Sequence, residues 1–143
     1  MTLLRRSPLA TGDPRRLREL LERCCDLANQ HTLPSVVVGI AGAEGEPLFP
    51  ELIDYVESAL RVEDAVFRMT RERAVLFVAD VDRTRALEIL ERLLADFRER
   101  FPAVRTPTVS LGFFEVAPGA ERPALKEVLP AVFDPMMTVL PRN

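Results

Sequence analysis

A chain of 143 residues, 48% hydrophobic and 29% charged, can bury one core and is too short for two ordinary domains, so residues 1–143 are expected to form a single domain. The net charge of -3 excludes bulk attraction to nucleic acid or to an anionic membrane surface, and no apolar run approaches the roughly 20 residues of a membrane span. The two cysteines, Cys24 and Cys25, are adjacent and cannot staple distant parts of a fold, and the first residues lack the apolar stretch of a secretory signal, so a reduced, cytoplasmic protein is expected.

Residues 1–12 read as an irregular lead-in. Asp13 then caps a helix, with Pro14 at its first position, where a missing N–H costs nothing. Leu17, Leu20, Leu21, Cys24, Leu27 and Ala28 recur at helical spacing and predict one buried face, ending near Gln30–His31. His31, the only histidine, is placed to meet the last carbonyls of that helix. Leu33–Ala41 reads as a buried strand from its run of valines, and Gly42–Pro47 as a turn-rich loop. Phe49 and Pro50 open a second helix, with Phe49, Leu52, Ile53, Val56 and Leu60 inward.

Arg61–Asp80 reads as a hairpin. Two short apolar strands, Ala65–Met69 and Ala74–Ala79, flank a charged tip, Thr70–Arg73, and β-branched and aromatic residues dominate them. The near-continuous apolar run after the tip predicts a strand covered on both faces. Asp80 and Asp82 stand at the start of a third helix, about Arg83–Phe101, where acids suit the helix dipole. Its apolar stripe is Ala86, Leu87, Leu90, Leu93, Leu94, Phe97 and Phe101. A loop over Pro102–Pro107, a strand over Thr108–Val116, a turn over Pro118–Arg122 and a short helix over Pro123–Val132 follow. Phe133–Asn143 is a tail without an assignment, and Pro130, Pro135 and Pro141 argue against a long C-terminal helix. From Leu33 the order is strand, helix, strand, strand, helix, strand. That is the split β-α-β-β-α-β arrangement, an α+β fold with a ferredoxin-like, antiparallel-rich sheet and an added N-terminal helix.

Several stretches, in order, resemble the GGDEF family, the diguanylate cyclase domain of bacterial signalling. Leu9-Ala10-Thr11-Gly12-Asp13-Pro14-Arg15-Arg16 is similar to a worn form of its DxLTGLPNRR signature, with the Asn missing. Val36–Ala41 stands at the family's first apolar strand. Arg61-Val62-Glu63-Asp64 matches its R-x-x-D, and Thr70-Arg71-Glu72-Arg73-Ala74 stands where the GGDEF tip would be. Val109-Ser110-Leu111-Gly112 is similar to the late VSIG strand. The resemblance runs from Leu9 to Phe114 and implies a nucleotide cyclase-like version of the split fold.

In an active cyclase of this family the tip glycines let the backbone approach the nucleotide, and the tip acids act with an Asp at the end of the first strand to hold magnesium. Here Thr70 and Arg71 replace the glycines, Glu72 alone remains of the tip acids, and Arg73 puts a positive charge in the other place. The first strand ends Ala41-Gly42-Ala43, with Glu44 and Glu46 nearby in a loop. The stretch from that strand to Arg61 is shorter than the family's, which implies that a helix is gone. The resemblance thus implies a degenerate domain with no catalytic residue, metal or cofactor. It would serve as a regulatory or protein-interaction module of cyclic di-GMP-related signalling, with a protein partner. Family members often pair through this domain, which leaves a homodimer open.

Arg61 and Asp64 carry two readings. In many family members the R-x-x-D placement is an inhibitory site for cyclic di-GMP, where a guanidinium forks onto a phosphate and a carboxylate accepts from guanine. A local ion pair at a helix-to-strand turn is the alternative. A nucleotide site would need a second basic residue, with Arg68, Arg92 and Arg98 as candidates. The tip Arg71-Glu72-Arg73 reads as a solvated turn or a partner contact, Asp80 and Asp82 as helix caps, and Cys24 and Cys25 as packing residues. An unrelated split-fold enzyme or small-ligand domain would need a convergent His, Cys or carboxylate constellation, and the sequence has none.

Overall fold

The computed structural model describes residues 13–102, 107–133 and 138–141. The lead-in of residues 1–12 lies outside them, as do residues 103–106 of the loop after the third helix and parts of the tail. Helix α1, Pro14–His31, starts after Asp13, whose backbone is extended and whose carboxylate accepts from Arg15 N–H at 2.9 Å. It ends at Thr32, whose backbone is left-handed with φ 51°. Then follow β1 (Ser35–Gly42), α2 (Phe49–Ala59), β2 (Ala65–Arg68), β3 (Arg73–Ala79), α3 (Arg83–Arg100), β4 (Val109–Val116), α4 (Leu125–Val132) and β5 (Thr138–Leu140).

The five strands form one sheet in the order β2-β3-β1-β4-β5, with every neighbouring pair antiparallel. This is the split order expected from the element sequence, extended by β5. Alternate residues of β1 serve two cores. Val36, Val38 and Ile40 pack with α2 and α3, while Val37 packs with Val75 and Phe77 against α1 and α4. Covering on both faces explains why β1 and β3 are apolar runs without polar alternation. Helix α1 is therefore half of a second layer, completed by α4, and not a mere addition to a one-sided sheet.

Glycines decide how close α4 sits. Gly39 and Gly112 face each other across β1 and β4. A Cβ on either would run into the Val132 carbonyl at the end of α4. Backbone packs on backbone there, which only glycine allows.

Four expectations are corrected. The hairpin tip is Met69–Glu72, because Arg73 already belongs to β3 and its carbonyl accepts from Met69 and Thr70 N–H at 2.9 and 3.1 Å. Phe101 caps α3 and is 45% exposed, so it leaves the apolar stripe. Helix α4 begins at Leu125, two residues past Pro123, with Glu127 accepting from Ala124 N–H at 3.4 Å. The tail contains β5, whose Val139 lies opposite Ser110 and whose Leu140 is 1% exposed. Three residues ahead of Pro141 carry no periodic signal, and only the free edge of β4 makes them a strand.

Candidate functional site

The R-x-x-D stretch forms the turn between α2 and β2, where β3 outruns its edge partner. β2 begins at Ala65, opposite Phe77, so Ala79 has no β2 residue beside it. Side chains take the place of a strand. Asp64 Oδ1 accepts from Ala79 N–H at 2.9 Å, and Arg61 Nη2 donates to the Ala79 carbonyl. Asp64 also accepts from Arg61 N–H at 3.0 Å, Nε at 3.2 Å and Nη2 at 3.3 Å. These donors fill the lone-pair positions of the carboxylate, and its side chain is 2% exposed.

Arg61 is half-exposed, and its Nη1 makes no hydrogen bond among the described residues. The hydrogen bond to Asp64 raises the guanidinium pKa above its ordinary value, against the opposing effect of burial. Glu63 Oε1 stands 4.0 Å from Arg61 Nε, so a second carboxylate faces the same cation. Arg68 does not complete a cationic pocket here. It pairs with Asp54 at 2.6 Å and Glu57 at 3.0 Å on α2. Arg92 and Arg98 are exposed on α3, and no ion pair joins either to this corner among the described residues.

Asp82 caps α3, accepting from Arg85 N–H at 2.8 Å, but Asp80 does not. Asp80 adopts φ 60°, and its Oδ1 lies 3.1 Å from His31 Nδ1. The expectation of His31 on helix carbonyls is corrected accordingly: the ring reaches across to Asp80, the residue after β3. No sequence signal joins residues so far apart, so this contact was not legible beforehand.

The tip closes on the loop after β1. Glu72 C=O accepts from Gly42 N–H at 2.8 Å, and its carboxylate accepts from Gly45 N–H at 3.1 Å. Thr70 Oγ1 accepts from Glu72 N–H at 3.2 Å. Arg71 is exposed, the Arg73 guanidinium lies 5.0 Å from the Phe133 ring centroid, and Ala74 is buried opposite Ile40. Glu46 Oε2 accepts from Leu48 N–H at 3.0 Å at the entry to α2, and Glu44 is exposed. One helix, α2, spans the interval from β1 to β2. Among the described residues no group of three or more His, Cys, Asp and Glu side chains could hold a metal ion. A pair of magnesium ions needs several oxygen ligands. The tip offers one carboxylate, already bound to a backbone N–H and followed in sequence by an arginine, so these residues do not fit that group.

No family model matches the chain, and no curated protein matches it. Among solved structures, PelD of Pseudomonas aeruginosa PAO1 in complex with c-di-GMP is similar, with 24% identity, a TM-score of 0.60 and 85% of this chain covered. This chain spans 44% of that one. A microbial GGDEF domain described in an interaction with cyclic di-GMP has 14% identity, a TM-score of 0.61, and coverage of 83% of this chain and 78% of that one. The FimX GGDEF domain of Pseudomonas aeruginosa has 13% identity, a TM-score of 0.61, and coverage of 87% and 90%. The chain has the fold of GGDEF domains.

Proposed function

We propose that this GGDEF-fold domain makes no cyclic dinucleotide and works in the bacterial cytoplasm as a regulatory or protein-docking module of cyclic di-GMP-related signalling. The observation that carries the reading is the state of Glu72. The one acid left in the tip spends its carboxylate on Gly45 N–H, and Arg73 beside it opposes a metal. The sheet and both helical layers stay intact around that tip, which suits a surface kept for contact. Incubation with GTP and Mg²⁺ or Mn²⁺, read by chromatography of the products, is expected to yield no cyclic di-GMP. Any protein-dependent synthesis above a heat-treated control overturns the reading.

A second reading is a cyclic di-GMP receptor at Arg61 and Asp64. The nucleotide bound to two of the similar structures favours it, as do the unbonded N–H groups of Arg61 Nη1, which suit a phosphate oxygen. The filled Asp64 carboxylate and the nearby Glu63 oppose it. Calorimetry separates the two. The first reading expects no heat with ligand on the order of tens of micromolar, where a signalling receptor would respond. Heat that disappears in Arg61→Ala would establish the receptor.

A further inference from the structure

We infer that Arg61 and Asp64 are a surrogate rung of the sheet, a latch that locks the end of β3 and, through Asp80, the last turn of α1. Extending the pairing of Ala65 with Phe77 by two residues would set Glu63 opposite Ala79. The chain turns instead, with Asp64 N–H on the Arg61 carbonyl at 3.0 Å. The peptide groups of Ala79 that a longer β2 would have met are held by a carboxylate on the N–H and a guanidinium on the C=O. An unpaired backbone group at a partly buried sheet end is costly, so the pair supplies a need of the fold itself.

The residue beyond the latch is under constraint from both sides. Asp80 sits at φ 60°, a region that an L-residue enters at a cost and that Asp tolerates better than most. Its carboxylate meets His31 of α1, and the next residue, Val81, donates its N–H to the Pro34 carbonyl at 3.1 Å. Two regions distant in sequence therefore meet at Ala79–Val81: the α2–β2 turn, and the connection from the end of α1 to the start of β1. The contacts run in series from Arg61 and Asp64 to Ala79, Asp80 and His31. A protein or nucleotide that takes Asp64, or the Arg61 N–H groups already bonded to it, must first open this series, whereas a ligand on Nη1 alone leaves it closed. The inference stands whether or not a nucleotide binds.

Amide hydrogen exchange on the full chain tests it. Arg61→Ala removes the latch. Arg61→Lys keeps the charge but cannot hold the carboxylate and the carbonyl together, and it guards against loss of the fold. Both are expected to speed exchange at Ala79 by about tenfold or more, and at the last turn of α1, Ala28–His31, by a comparable factor. In a His31→Ala background the effect on α1 is expected to vanish while the effect on Ala79 persists. Unchanged exchange at Ala79, or unchanged exchange in α1 in both variants, overturns the inference. So does an α1 response that survives undiminished without His31.

Discussion

Cys24 shows how far a side chain's chemistry departs from its type. It lies 3% exposed between α1 and the sheet, and burial, then the neighbouring Cys25, pushes its thiol up to about 12. The same burial raises Cys25. Neither thiol offers a thiolate at neutral pH, so thiol reagents should label the protein only as it unfolds. The linkage has a definite sign. The folded chain holds the Cys24 proton more tightly than the unfolded chain, so the stabilisation is complete below the ordinary thiol range and is lost as pH rises through about 12. Urea midpoints measured at stepped alkaline pH should fall across that window, and Cys24→Ala should flatten the fall. Asp64 likewise departs from its type through its surroundings. It is spelled like any surface carboxylate, yet its oxygens are filled from inside the molecule.

At the scale of elements, the decisive contact is between α4 and the centre of the sheet. Helix α4 has eight residues and an internal proline, Pro130, so its own hydrogen bonds hold it weakly. Its place depends on Val128 and Val132, 1% and 0% exposed, and on the Gly39–Gly112 pair beneath the Val132 carbonyl. Gly112→Ala should force that carbonyl outward and cost about 1–3 kcal/mol, the usual range for overpacking a close contact. Gly39→Ala should act alike. Because both substitutions displace the same helix end, the double variant should cost less than the sum of the two. Chemical denaturation of the single and double variants checks both statements. Strand β5 is held at the sheet edge by its pairing with β4 and by one buried residue, Leu140, in the core on the other face of the sheet.

For the molecule as a whole, two helical layers on one antiparallel sheet hold the fold independently of the tip, whose residues do not fit a pair of magnesium ions. The apolar residues that define the two cores and the polar residues of the tip do not overlap. None of Thr70, Arg71, Glu72 and Arg73 belongs to either core, and the one link is the Arg73 guanidinium over the Phe133 ring at the margin of the second. Separation of this kind lets one scaffold carry different sites. The proposed loss of synthesis carries a second readout at this scale. GTP with Mg²⁺ binding the folded state would raise the melting temperature by mass action. No such rise is expected here, because the tip presents an arginine and a committed glutamate. Helices α1 and α4 cover one face and α2 and α3 the other. A partner would therefore meet helix surfaces, loops or the sheet edges.

Local order in the sequence determined most of the architecture. Apolar spacing in α1, α2 and α3, the valine run of β1, and the caps Asp13 and Asp82 act within a turn or a strand of themselves. Such signals survive without knowledge of the rest of the chain. The R-x-x-D and the charged tip were likewise legible, because each is contiguous. What each residue there does was not. Ala79 under Arg61 and Asp64, His31 against Asp80, Glu72 on Gly45 and β5 on β4 are all contacts between segments separated along the chain. Pairing across such distances is set by which elements the closed core brings together. A hydrogen-bonding group chooses among whatever donors that closure delivers, and only the tertiary structure says which they are.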